Sequence, residues 1–374
     1  MIIGFDAKRI FHNWRGLGNY GRNILDGLQQ FYPENKYVLF TPNSKDERSK
    51  KWIQDRPEFK EINPTGFLSK QFPSMWRRNL GTVIAEESCD IYHGLSHEVP
   101  YGVDSSKTKL VVTIHDLIFL RYPQYFQYVD RKVYLSKIKH ACKIADKIIA
   151  ICHQTKNDLI QMLGINPEKI EVIYQSCDSS FYTQKPQEQV HEIRSKYELT
   201  NDYFLYVGAV EERKNVKMLL EAYDYFGTSK DLVIVGRGGK YLDELKVMAK
   251  QMGREKQIHF LSGISQEELP LIYQGAFAFC FPSFFEGFGI PLIEALFSGV
   301  PVITSEGSCF PEVAGPGALY VNPERPVDFA RAMKRLTEDE HLYSELKTKG
   351  LEHVQRFHEK NTNENLMNVY RSLV

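Results

Sequence analysis

Short apolar, β-branched runs alternate with stretches of helical periodicity along nearly the whole chain. In the first half the runs cover residues 2–5, 37–40, 90–93, 110–114, 147–151 and 169–174, and residues 18–31 and 131–145 between them repeat apolar positions at helical spacing. In the second half the runs cover 204–207, 232–235, 258–261, 276–281 and 300–304, with helices predicted over 216–225, 240–252, 267–274 and 291–297. Runs apolar at almost every position are strands covered on both faces, and helices between them are the crossovers of parallel sheets. The pattern predicts an α/β protein.

The alternation lapses once. Residues 175–189 are rich in Ser, Asp, Thr and Gln, include Pro186 and hold no sustained period; a polar helical piece follows at 190–197. The interdomain connection is therefore placed at about 176–201. With 374 residues the chain is long enough for two cores. The expected architecture is two Rossmann-like βαβ domains facing across a cleft, 1–178 and 179–357, with a C-terminal helix over about 358–374 packing back onto the first. Open α/β sheets bind ligands beyond the carboxyl ends of their strands, so functional residues are sought just after strands.

Composition narrows the field. Hydrophobic residues make up 43% and charged residues 25%, as in a folded soluble protein. The six cysteines include no C-x-x-C and suit reduced, buried thiols. No apolar run approaches the roughly 18 residues of a membrane span. The start, Met1-Ile2-Ile3-Gly4-Phe5-Asp6, reads straight into a strand without the features of a signal peptide. A cytoplasmic location is expected. The net charge of zero hides an asymmetry: residues 1–180 carry 25 Lys/Arg against 20 Asp/Glu, and residues 181–374 carry 22 against 27. A whole-chain nucleic-acid binder is excluded on this balance, whereas the basic half suits an anionic surface or substrate, or simply attracts the acidic half. Arg131, Lys132, Lys137, Lys139, Lys143 and Lys147 crowd one helical stretch. That stretch reads either as a solvated helix face or as a weak, salt-sensitive contact with the inner face of an anionic membrane.

Four loops carry candidate chemistry. Gly16-Leu17-Gly18-Asn19-Tyr20-Gly21 matches G-x-G-x-x-G, but it begins ten residues after the first strand run, and the second ends in Thr41-Pro42-Asn43 without an acid for a ribose. A nicotinamide dehydrogenase is thereby excluded, while a glycine loop opening a helix still offers N–H groups to an anion. Gly208-Ala209-Val210-Glu211-Glu212-Arg213-Lys214-Asn215 follows a strand. Its adjacent cations, expected at a helix N-terminus where they oppose the macrodipole, point to a negatively charged ligand such as a diphosphate. In Glu286-Gly287-Phe288-Gly289-Ile290-Pro291-Leu292-Ile293-Glu294 two carboxylates lie eight positions apart, with Pro291 opening a helix and Glu294 expected in its first turn. Val111-Val112-Thr113-Ile114-His115-Asp116 delivers a histidine to a strand end. His93 and His97 have helical metal-ligand spacing, but Gly94 and Pro100 argue for a loop, so a zinc site is rejected. The chain contains no D-x-D, no P-loop and no G-x-S-x-G.

Taken together, EGFGIPLIE preceded by FPS, GAVEERKN, IVGRGG at 234–239, TIHDL, and FDAKRI followed by GLGNYGRNIL resemble the retaining glycosyltransferases of family 4, of GT-B fold, over essentially the whole chain. The resemblance implies transfer of a hexose from a nucleotide diphosphate sugar to a glycan or glycolipid, without metal or other cofactor. It implies donor-diphosphate binding by Arg213 and Lys214, ribose binding by Glu294 and a donor-sugar role for Glu286. It also implies contacts from Phe288, Gly289 and Ile290, from Gly208 and Gly236, and from the glycine loop at Gly16 and Gly18, with His115 near the reacting centre. The overall pattern is most similar to mannosyltransferases using GDP-mannose. Users of UDP-sugars share every motif named, and a sugar-nucleotide epimerase or a sugar-binding module are the rival classes.

Overall fold

The computed structural model describes residues 1–14, 16–42 and 46–374, so Asn43 of the second strand's end lies outside the described residues. The chain divides into two compact units, Met1–Ser176 with Glu359–Val374 and Cys177–His358.

The first unit is built on a seven-stranded sheet: β1 (Ile2–Asp6), β2 (Lys36–Phe40), β3 (Phe59–Ile62), β4 (Ile91–Gly94), β5 (Lys109–Ile114), β6 (Lys147–Ala150) and β7 (Ile170–Val172). Its order is β3-β2-β1-β4-β5-β6-β7, and every pairing is parallel. The second unit carries β8 (Tyr203–Val207), β9 (Asp231–Val235), β10 (Ile258–Leu261), β11 (Ala278–Phe281), β12 (Val302–Ser305) and β13 (Ala318–Val321). They run in the order β10-β9-β8-β11-β12-β13, again all parallel. The strand order reverses direction between β1 and β4 in one sheet and between β8 and β11 in the other. At such switch points the loops diverge and leave a crevice.

Two strands escape the hydropathy pattern. In β3, Phe59-Lys60-Glu61-Ile62, charges interrupt the apolar run because this edge strand is only partly covered. The four-residue β13 is an edge of the second unit's sheet. Lys147 begins β6 and pairs with Glu171 at 2.7 Å, so it does not belong to the basic helix Tyr128–Ile144.

The terminal helix Glu359–Arg371 packs on the helix Gly16–Phe31 of the first unit and buries Leu366, Met367 and Tyr370 fully in its core. All six cysteines are free and buried. Among the described residues no helix is long and apolar enough to cross a membrane.

Candidate active site

In the second unit the loops after β8, β9 and β11 meet beside the switch point. The Gly208 N–H donates to Val235 O at 3.0 Å, and the Val210 N–H to Arg237 O at 2.9 Å, so β8–β9 pairing continues past both strands. A Cβ at Gly236 would lie 2.0 Å from Gly208 O. Backbone cannot step aside from such a clash, and only glycine allows this approach.

A 3-10 turn, Glu212–Lys214, comes next, and the helix Val216–Phe226 starts behind it. Arg213 and Lys214 thus precede the helix instead of occupying its N-terminus. The residue between, Asn215, adopts a left-handed φ of 57°, and its Nδ2 donates to Pro282 O at 3.2 Å and to Pro323 O at 2.7 Å. The turn is thereby tied to the β11 loop.

Glu286 lies buried between the two cations. Lys214 Nζ donates to its Oε1, and Arg213 Nη1 donates to its Oε2 at 3.3 Å and to Phe285 O at 2.9 Å. Arg213 Nη2 also donates to the exposed Glu211 at 2.8 Å. Burial pushes the Glu286 carboxyl up, but the charges of Lys214 and Arg213 outweigh it and hold the group below its ordinary value. Glu286 is therefore an ionised, doubly paired carboxylate. It engages one of the three N–H donors of Lys214 and leaves ammonium donors for an anion.

Two residues that no motif singled out hold this loop from the turn after β12. Ser308 Oγ accepts the Glu286 N–H at 3.3 Å and donates to the Glu286 carbonyl at 3.1 Å. The Cys309 thiol faces Glu286 O at 3.4 Å and Phe288 O at 3.0 Å. The only signal in the sequence is a short polar turn, Glu306-Gly307-Ser308, at a strand end.

Gly289, at φ 96°, caps the helix Ile290–Phe297, with Pro291 in the first turn. Among the described residues the N–H groups of Gly289 and Ile290 meet no protein acceptor, which leaves them to a ligand oxygen. The Phe288 ring is buried edge-on to Phe357, with centroids 5.6 Å apart, so only its backbone can face a ligand. Glu294 falls in the second helical turn, not the first, because the helix already begins at Ile290. It is partly buried, and its Oε2 accepts the Tyr273 hydroxyl at 2.9 Å. Burial lifts its carboxyl to about 7, Asp178 adding to the rise and the Tyr273 bond opposing it.

The remaining predicted residues belong to the first unit. Gly16 and Gly18 lie on the first turn of the helix Gly16–Phe31, not in a loop ahead of it. Gly16 borders open space, whereas a Cβ at Gly18 would lie 1.6 Å from Asn13 O, so Gly18 serves packing. His115, beyond β5, is buried and engaged at both nitrogens: Nε2 with Leu95 O at 2.8 Å and Nδ1 with the Gln175 amide at 3.0 Å. Burial pulls it down to about 3. That depression favours the neutral ring, with one nitrogen facing the Leu95 carbonyl and the other the Gln175 amide. His93 of the rejected zinc pair is held by the Tyr370 hydroxyl at 2.6 Å and Thr113 Oγ1 at 2.8 Å. Among the described residues no three His, Cys, Asp or Glu side chains gather as a metal site.

Arg213, Lys214 and Glu286 thus form one cluster on a doubly wound sheet, and the N–H groups of Gly289 and Ile290 follow Glu286 by three and four residues. Comparison with known proteins identifies the class. The model for "Glycosyltransferase Family 4" matches residues 14–181, and that for "Glycosyl transferases group 1" matches residues 189–370. The O-antigen chain mannosyltransferase B of Escherichia coli is 29% identical over 289 residues, 76% of this chain and 74% of its own length. The O-antigen chain mannosyltransferase RfbU of Salmonella typhimurium is 31% identical over 225 residues, 60% of each chain. The crystal structure of Anabaena HepE in complex with UDP superposes with a TM-score of 0.79 at 17% identity, covering 99% of both chains. The protein is a glycosyltransferase of GT-B fold. It belongs to glycosyltransferase family 4 and is mannosyltransferase-like.

Proposed function

We propose that this enzyme transfers a mannosyl residue from GDP-mannose to a hydroxyl of a glycan or lipid-linked glycan, retaining the anomeric configuration and requiring no metal. The observation that carries this reading is the cluster of Arg213, Lys214 and Glu286, with the N–H groups of Gly289 and Ile290 three and four residues further along the same loop. Breaking the bond from the sugar's C1 to the diphosphate leaves negative charge on the departing oxygen. The spare donors of Lys214, the Arg213 guanidinium and the two backbone amides meet that charge without rearranging, and one such contact is worth about 2.7–4 kcal/mol. Glu294 accepts the ribose hydroxyls when ionised.

Retention requires either a nucleophile on the far face of the sugar or attack on the face the diphosphate leaves. Glu286 suits the second route better. A carboxylate that already neutralises two cations is a weak nucleophile, but it fixes those cations and stabilises a positively charged sugar. The acceptor's proton then passes to the departing phosphate oxygen. The mannosyl donor is supported by the two O-antigen mannosyltransferases. UDP in the HepE complex favours a second reading, a UDP-sugar donor, but at 17% identity it speaks for fold alone.

Thermal shift with GDP and with UDP separates the two readings; ligand at 100 times its Kd adds about 2.7 kcal/mol. For the chemistry, Arg213→Ala or Lys214→Ala is expected to lower kcat/KM about 100-fold or more, with activity unchanged by EDTA. Wild-type kinetics in both variants would remove the diphosphate assignment, and reversible loss on chelation would remove the metal-free one.

A further inference from the structure

Across β12 from the strand whose loop holds Glu286, the second unit's sheet ends at β13. A groove of about 440 Å³ is lined there by Leu319, Tyr320 and Val321 of that strand and, on or next to the helix Pro326–Glu338, by Arg325, Arg331 and Arg335, among others. The strand's outer edge is unpaired. The Glu306 N–H donates to Val321 O at 2.8 Å, so Val321 turns its backbone polar groups toward β12. Successive residues of a strand turn these groups to opposite sides. Tyr320 therefore presents its N–H and carbonyl to the open edge, and neither meets a protein partner among the described residues. Its hydroxyl is already engaged, donating to Gly315 O at 2.5 Å.

The groove is cationic within an acidic half of the chain. Residues 181–374 carry 22 Lys/Arg against 27 Asp/Glu, yet the groove sets three arginines against Asp328 and Glu306. Asp328 serves two of them, Arg325 at 3.2 Å and Arg331 at 3.5 Å, and both remain more than half exposed. Arg335 is exposed and has no carboxylate partner among the described residues. Arg331 and Arg335 stand four residues apart on the helix, about 6 Å along its axis. Carboxylates at alternate positions of an extended chain are about 6.6–6.8 Å apart, which matches that spacing. A second copy of this chain would bring its own arginines to the same edge, and a free phosphate would leave the strand's backbone groups unpaired.

We infer that this groove binds an extended acidic segment of another protein, which adds a strand to β13 and sets alternate carboxylates on Arg331 and Arg335. The inference is independent of the donor and acceptor of the transfer reaction.

Fluorescence anisotropy tests it with a labelled, blocked hexapeptide of alternating glutamate and valine. This probe is expected to bind the full chain, whereas the alternating lysine–valine peptide should not. Methylating the probe's backbone nitrogens removes its donors to the strand edge and should lower affinity about tenfold or more. The double variant Arg331→Ser with Arg335→Ser should lower it about fivefold or more, with an unchanged melting temperature, since both side chains are exposed. Hydrogen exchange should show the probe protecting β13. No binding of the acidic probe leaves the arginines as guards of an exposed edge and overturns the inference. Equal binding of the methylated probe, or displacement of the probe by inorganic phosphate at matching concentration, reduces the groove to an anion patch and overturns it too. So would a dimer of the protein that the probe disperses, which would give the edge to a second copy.

Discussion

At the scale of single residues, the two glutamates of the Glu286–Glu294 motif have opposite fates although one loop and helix carries both. Glu286 lies between two cations and is held ionised, whereas Glu294 accepts a tyrosine hydroxyl, pairs with no cation among the described residues, and is lifted by burial to about 7. Its ordinary value is 4.5, so the folded state retains a proton that the unfolded chain has released. The stability from this group is complete below 4.5 and is lost as pH rises through about 7. Glu294→Gln, which keeps an acceptor for Tyr273, should therefore raise the melting temperature at pH 8 but not at pH 4. After discounting for partial exposure, the gain is on the order of 1–2 kcal/mol. The same variant should weaken nucleotide binding above neutrality and abolish the part of the wild-type pH dependence centred near 7. Unchanged binding and melting in the variant at pH 8 would dismiss both the ribose role and the buried proton.

At the scale of elements, the cluster of Arg213, Lys214 and Glu286 is made by the loops after β8 and β11 and braced by the turn after β12. Ser308 and Cys309 touch backbone, so their effect on chemistry passes through the position of Glu286. Cys309→Ala removes a weak, buried donor worth about 1 kcal/mol, which corresponds to roughly a fivefold loss in kcat. KM for the donor should change little, and Cys309→Ser, which restores a donor, should recover the rate. Equal loss in both variants would mark the thiol as packing only. This brace shows where legibility in the sequence ended. The βαβ rhythm exposed eleven of the thirteen strands, because strands covered on both faces read as continuous apolar runs. The edge strand β3 was hidden because Lys60 and Glu61 interrupt its apolar run, and the four-residue β13 was too short to stand out. Motif spacing led to Arg213, Lys214, Glu286 and Glu294 because each lies within one loop or helix turn. Ser308 on Glu286 and Gln175 on His115 join positions 22 and 60 residues apart, and no local pattern records such meetings.

At the scale of the molecule, the chain enters the second unit once, at Cys177, and leaves it at His358 to complete the first. The returning helix is an integral part of the first unit's core. A Cβ at Gly27 would lie 2.0 Å from the Asn363 side chain, so that side chain sits directly against the Gly27 backbone. Tyr370 ends a buried line of hydrogen bonds that runs through His93 and Thr113 to Tyr20. Tyr370→Phe leaves His93 Nδ1 buried without this partner, at a cost of about 1–3 kcal/mol. The loss should be confined to the first unit. Hydrogen exchange should quicken in β1, β4 and the helix Gly16–Phe31 while β8, β9 and β11 exchange as before, and GDP should still protect the second unit. Burial also depresses His93 and His115 to about 3 from 6.5, so their contribution is complete above 6.5 and is lost as pH falls through about 3. The Tyr370→Phe unit should consequently melt first, and at higher pH than wild type, when the protein is acidified. Equal acceleration of exchange in both units would mean that the terminal helix stabilises the chain as a whole and not the unit whose core it completes.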